Sequence, residues 1–292
     1  MPIAGFDSGA PGRTIIAGTP AGHDARVLAE IALRVQGKPL LHIALDDMRA
    51  ALLHDALAFF APHCEVIAFP GWDCLPYDRI SPHADLASER IAALHRLQQP
   101  FARPAIILAT VNAAVQKTLP PDVLKQASLN AVCGDELPIE KLRAFLAANG
   151  YVSASAVREP GEFAVRGGIV DLYPPGYEAP IRLDFFGDTI EQIRVFDALS
   201  QTTTGTLNRF HLGPMSEVLL SEASVAHFRS GYRELFGAVM DRDPLYEAVS
   251  EGRKFPGIEH WLGLFYPRLF SLFDYAQDAP VTCDAQAEEA IK

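Results

Sequence analysis

Cysteine is scarce: of 292 residues only Cys64, Cys74, Cys133 and Cys283 are cysteines, far apart and without a C-x-x-C pair. This excludes a disulfide framework and a zinc knuckle, and it fits a reducing cytoplasm. Long apolar runs are missing too. No stretch approaches the roughly 18 uninterrupted apolar residues of a membrane span, and no basic region followed by an apolar one opens the chain, so neither membrane insertion nor secretion is expected. Positive charge is short, with 25 Lys+Arg against 36 Asp+Glu and a net charge of −11. Nucleic-acid affinity is built on cations neutralising phosphates, so a broad phosphate-binding surface is excluded. Any DNA contact is left to another protein or another segment. The deficit is uneven: residues 1–125 carry 11 basic and 12 acidic groups, 126–212 carry 7 and 11, and 213–292 carry 7 and 13.

What is present is half apolar, at 49% hydrophobic residues and a mean hydropathy of +0.10, enough for two or three packed domains. Residues 1–125 alternate short β-rich runs with helical patterns: strands at Thr14–Ala17, Leu40–Leu45, Glu65–Phe69 and Ala105–Ala109, helices at Asp24–Val35, Met48–Phe60 and about Asp85–Leu97. Continuous apolar strands alternating with amphipathic helices predict a doubly wound α/β domain with a parallel sheet. Pro120-Pro121 marks a boundary. In residues 126–212 a helix over Leu137–Asn149 ends at Asn149-Gly150, and the period then switches to two: Phe163–Arg166, Gly168–Tyr173, Ile181–Phe186 and Thr189–Phe196, with Gly187-Asp188 as a hairpin turn. This predicts a small antiparallel α+β domain inserted into the first. Residues 213–292 read as mostly helical, near Ser224–Phe236, Pro244–Glu251 and Gly257–Phe265, with a strand at Glu217–Leu220. No closing element follows Cys283, and the ending reads as a cut in a longer protein.

Strand, glycine-bearing turn and helix is the layout of a P-loop, G-x-x-x-x-G-K-[ST], whose backbone amides, Lys and hydroxyl hold a nucleotide and its Mg²⁺. The stretch here is Ala17-Gly18-Thr19-Pro20-Ala21-Gly22-His23-Asp24. After Gly22, His23 stands at the Lys position and Asp24 at the hydroxyl position. A mostly neutral imidazole replaces an ammonium, and a carboxylate repels the phosphates. The turn reads either as a degenerate P-loop with weak residual binding or as a plain turn in which Asp24 caps the helix.

Several stretches carry a family resemblance: Phe69-Pro-Gly-Trp-Asp-Cys-Leu-Pro-Tyr-Asp-Arg-Ile-Ser-Pro-His83, Ile107–Asn112, Gly161–Pro174, and Ile181–Asp188 running into Ile193–Asp197. In order and spacing, over roughly residues 14–290, they resemble the N-terminal, UvrB-like module of bacterial transcription-repair coupling factors (Mfd). The resemblance implies a longer protein in which an RNA-polymerase-binding domain, an ATP-driven DNA translocase and a C-terminal regulatory domain follow. RNA polymerase and DNA are then partners of those other segments, and the C-terminal domain is an intramolecular partner that masks this module. UvrB's D-E-x-H motif falls on Asp284-Ala285-Gln286-Ala287, so its general-base Glu is Ala285. Only Trp72–Ala84 stands where UvrB carries its DNA-clamping hairpin. The resemblance thus implies no catalysis and no cofactor in this segment, and a retained surface for docking UvrA.

Alternation along Ile181–Phe186 sends Ile181, Leu183 and Phe185 to one face and Arg182, Asp184 and Phe186 to the other, with Arg166 reaching the same side. Arg and aromatic residues anchor protein interfaces. By resemblance Arg166, Arg182 and Phe186 match UvrA-contacting positions, with Asp184 as an orienting partner. The bland alternative is a solvated sheet face with surface ion pairs worth about 0–1 kcal/mol.

Three further constellations favour structural roles. Asp73, Asp78, His83 and Asp85 follow no helix or strand register, and helix capping by Ser81 or Asp85 is preferred over a metal site. Trp261, Phe265, Tyr266, Phe270 and Phe273 read as core rather than a base-stacking platform. His42, His54, His95, His211 and His227 have no nucleophile at motif spacing. Two other functions stay open: a nucleotide-dependent ATPase or helicase domain with an unusual P-loop, and a direct binder of damaged DNA.

Overall fold

The computed structural model describes residues 12–20, 22–35, 37–237 and 243–290. Ala21 of the glycine-bearing turn, and Ile291 and Lys292 of the last run, lie outside the described residues. The chain runs α1 (His23–Arg34), β1 (Leu40–Ala44), α2 (Asp47–Phe60), β2 (Glu65–Phe69), α3 (Ala84–Leu97), β3 (Ala105–Thr110), α4 (Val111–Val115) and α5 (Pro121–Gln126). It continues through β4 (Leu129–Val132), α6 (Ile139–Ala148), β5 (Val152–Ser153), β6 (Glu162–Arg166), β7 (Ile169–Leu172), β8 (Ile181–Phe186), β9 (Thr189–Phe196), β10 (Thr203–Leu207) and β11 (Arg209–Leu212). The last elements are α7 (Glu222–Phe236), α8 (Pro244–Ser250), a 3₁₀ helix over Ile258–Leu264, α9 (Leu272–Ala276), β12 (Val281–Cys283) and α10 (Ala287–Ala290). No helix of the described residues is long and apolar enough to cross a membrane.

These elements fall into two compact units, one of residues through Gly71, Arg96–Lys117 and from Ser271 onward, the other of Trp72–His95 and Thr118–Phe270. The limits at 125/126 and 212/213, drawn from sequence pattern, are not these unit boundaries. The first unit holds an all-parallel sheet in the order β12-β1-β3-β2. β1 and β3 are buried along their whole length, as strands covered on both faces must be. Leu28, Ile31 and Ala32 of α1 and Leu53 and Leu57 of α2 pack with Leu40, Ile106 and Leu108 into one core.

Two expectations fail in this unit. Thr14–Ala17 forms no strand, and Ile15 is 76% exposed. β1 already has β12 on one side and β3 on the other, and three β-prone residues and an alanine without a ladder partner do not hold an extended register. Asp24 does not cap α1 either. The N-cap is Gly22, left-handed at φ 81, and Asp24 lies within the first turn, its Oδ1 accepting from the Ala25 amide at 2.9 Å.

The second unit holds a six-stranded sheet in the order β10-β9-β8-β7-β6-β5, antiparallel except for the β5–β6 pair, and a β11–β4 ladder. Its core joins Leu142 and Leu146 of α6 to Val170, Leu172, Ile181, Leu183 and Ile193, with Phe210 and Leu212 from β11. The mixed α/β architecture, with a parallel sheet in one unit and a largely antiparallel one in the other, follows the period change along the sequence. Glu217–Leu220 is not a strand. Its backbone is held by side chains instead, the Val218 amide donating to Ser216 Oγ at 3.1 Å and the Leu219 amide to the Tyr266 hydroxyl at 3.2 Å. Gly257–Phe265 is a 3₁₀ helix rather than an α-helix.

Candidate protein-docking face

The face is made by β6 to β9. Gly187, at φ 61, opens the two-residue turn between β8 and β9, a conformation glycine adopts without a side-chain clash. Beyond that turn the register shifts by a bulge between Asp184 and Phe185. The bulge sets Arg182 opposite Arg194 and Asp184 opposite Gln192, while Asp171 of β7 faces Arg182 from the other side. The opposite face of the same strands, through Val170, Leu172, Ile181, Leu183 and Ile193, is core.

Two guanidinium groups side by side require carboxylates. Arg182 donates through Nε and Nη2 to the two oxygens of Asp171 at 2.6 and 2.8 Å, and its guanidinium lies 4.8 Å from the centre of the buried Phe196 ring. The Asp171 hydrogen bonds keep Arg182 more firmly protonated than an ordinary arginine, against the opposing effect of burial. Arg194 grips both oxygens of Asp184, at 2.7 and 2.5 Å. The partner that orients Arg182 is therefore Asp171, only 1% exposed, whereas Asp184 serves Arg194. Arg166 is half exposed, 3.7 Å from Asp171 and donating to the Ser155 carbonyl at 3.0 Å. Phe186, at the end of β8, is 76% exposed.

The four candidate residues thus share one face with unequal roles. Arg166 and Phe186 reach outward, and Arg182 and Asp184 lie partly buried in bidentate ion pairs. Asp171 and Arg194 were missed because assigning them needs the strand register. Three arginines over two carboxylates leave the patch cationic on an acidic chain, suited to grip a carboxylate-bearing surface with an aromatic anchor beside it.

The second group of candidates lies in the first unit. His23 is exposed in the first turn of α1, and Ala285 is exposed in the turn after β12. Asp24 and Asp284 meet on one residue, Arg49 of α2: its Nη2 donates to Asp24 Oδ2 and, at 3.2 Å, to Asp284 Oδ1, and its Nε reaches Asp284 Oδ2 at 3.2 Å. The Leu45 amide donates to Asp284 at 3.1 Å, and His42 Nε2 lies 3.7 Å away. Burial pushes the Asp284 carboxyl up, but His42, Arg49 and the Leu45 amide together draw it far below the usual carboxylate range. Burial works against the charge on Arg49, and the two carboxylates more than offset it.

The remaining constellations resolve locally. Asp73 accepts from the His83 amide at 3.1 Å, Ser81 Oγ accepts from the Gly257 amide at 3.0 Å instead of from α3, and Asp85 lies inside the first turn of α3 rather than before it. Among the described residues no group of three or more His, Cys, Asp and Glu is placed to hold a metal ion. Phe265 and Tyr266 are buried, with Phe265 stacked on Phe228, whereas Phe273 is exposed.

Residues 129–217, which include this face, match the family model of the UvrB interaction domain. The chain is 36% identical over 267 residues to the transcription-repair-coupling factor of Haemophilus influenzae, covering 91% of this chain and 23% of that protein. It is 38% identical over 253 residues to the Escherichia coli factor, covering 85% and 22%, and 36% identical over 280 residues to that of Myxococcus xanthus, covering 89% and 22%. The chain spans less than a quarter of the length of these curated relatives. Over the stretch they share, the chain is similar to the transcription-repair-coupling factors, and its residues 129–217 match the UvrB interaction domain.

Proposed function

We propose that this chain is a UvrB-like, N-terminal module of a transcription-repair coupling factor. Its middle region, residues 126–212, docks UvrA and brings it to a stalled RNA polymerase in transcription-coupled nucleotide excision repair. The observation that carries the reading is the coincidence of the UvrB interaction domain with a sheet face on which Arg166 and Phe186 project beside the bidentate Arg182–Asp171 pair. Arginine and aromatic residues are interface anchors, and a ring on a rigid sheet loses little entropy on docking. RNA polymerase and DNA are partners through other segments of the longer protein, and its C-terminal domain covers this face until the polymerase is engaged.

In the same reading the segment is non-catalytic. Residues 17–24 are a degenerate P-loop and Asp284-Ala285 a degenerate second nucleotide motif, lacking the Lys, hydroxyl and general-base Glu that hydrolysis needs. Calorimetric titration with UvrA tests the docking: Arg166→Ala and Phe186→Ala each weaken binding about ten-fold, or about 1.4 kcal/mol, with the melting temperature nearly unchanged. Unaltered affinity in both variants would sink the assignment. Titration with ATP and Mg²⁺ gives no binding heat; micromolar affinity or turnover would restore the ATPase reading.

A further inference from the structure

Two carboxylates from distant parts of the chain converge on Arg49. Asp24 comes from the first turn of α1 and Asp284 from the residue after β12, and one guanidinium holds both. The backbone of Arg49 is fixed as well, because its own amide donates to the N-cap Asp46 at 2.8 Å. All three side chains are largely shielded, at 31, 24 and 18% exposure for Arg49, Asp24 and Asp284. Facing carboxylates in such a place repel one another unless a cation lies between them.

In a nucleotide-hydrolysing fold the segment after the phosphate turn and the acidic residue at the end of a neighbouring strand share a magnesium ion that arrives with the nucleotide. We propose that Arg49 is a built-in cation that occupies this place permanently, so that Asp24 and Asp284 are held together with no ligand bound. A cation tethered to α2 cannot dissociate, and a magnesium–nucleotide complex entering here would have to displace a guanidinium held by two carboxylates. The ion pairs of Arg49 do not depend on UvrA docking; only their interpretation as a replacement rests on the degenerate-motif reading.

The test uses the 292-residue chain. Arg49→Gln, Arg49→Lys and the double variant Arg49→Gln/Asp24→Asn are unfolded thermally with and without millimolar magnesium chloride, and manganese is used as a paramagnetic probe. Arg49→Gln melts several degrees below the parent and Arg49→Lys between the two. Magnesium raises Arg49→Gln towards the parent and leaves the parent and the double variant unmoved, and manganese broadens resonances around Asp24 and Asp284 only in Arg49→Gln. An Arg49→Gln chain as stable as the parent, or one that magnesium fails to restore, overturns the proposal. So does an equal magnesium response in all chains. UvrA affinity stays at the parent value throughout, which separates failure of this inference from failure of the docking assignment.

Discussion

Replacing Asp171 probes the docking face from beneath. Its carboxylate is 1% exposed and takes both hydrogen bonds of Arg182, with Arg166 at 3.7 Å, so Asp171→Ala leaves a guanidinium that is 17% exposed without its carboxylate. Breaking a fully buried ion pair from one side costs about 3–5 kcal/mol. Arg182 keeps partial access to water and Asp184 lies on the same face, so a cost of about 2–3 kcal/mol is expected. At about 2–4 °C per kcal/mol for a unit of this size, the melting temperature falls by about 4–12 °C. Asp171→Asn retains shape and one acceptor and costs less. UvrA affinity also falls, although Asp171 itself is hidden, because Arg182 and Arg166 lose their fixed geometry. Urea unfolding followed by circular dichroism, in a double-mutant cycle with Arg182→Ala, isolates the pair, and a coupling below about 0.5 kcal/mol would refute the argument.

Glu217 sits 2.6 Å from Arg90 Nε, with side-chain exposures of 0% for Arg90 and 3% for Glu217. Glu217→Ala should cost about 3–5 kcal/mol in denaturant unfolding, and a loss under 1 kcal/mol would show the pair to be dispensable. His211 stacks on His95 with ring centres 3.4 Å apart, and burial, then the neighbouring His95, draw its pKa down from 6.5 to about 4. The folded state holds this ring neutral, so its contribution is complete above pH 6.5 and is lost as pH falls towards about 4. Melting temperatures across that window should fall less steeply in His211→Gln than in the parent, and parallel curves would rule His211 out.

Much of the architecture is legible in periodicity. The buried β1 and β3 and the alternating β8 and β9 announce themselves, and Gly187-Asp188 fixes the hairpin. The site is only half legible, for a specific reason. A plain two-residue hairpin pairing Phe186 with Thr189 would set Asp184 opposite Glu191 and Arg182 opposite Ile193. The bulge after Asp184 shifts the ladder by one residue and delivers Arg194 to the face. Alternation within one strand cannot reveal that shift, so Asp171 and Arg194 stay hidden until the strands are paired. Arg49 is equally silent in sequence. It belongs to no motif, and its meaning comes from two carboxylates that the fold brings together from either end of the chain. Thr14–Ala17 errs in the other direction: local β propensity is present, but the neighbouring place in the sheet is taken.

The parallel pairing of β1 with β12 sets a timetable. His42 and Thr282 are partners across this ladder although 240 residues separate them. At synthesis rates of about 5–20 residues per second, roughly 12–50 s pass between the emergence of the two strands. Trp72–His95 and Thr118–Phe270, which together make the second unit, are complete before Val281–Cys283 leaves the ribosome. The UvrB interaction domain can therefore fold on the nascent chain, while β1 waits with an open edge of the kind that invites strand exchange or chaperone capture.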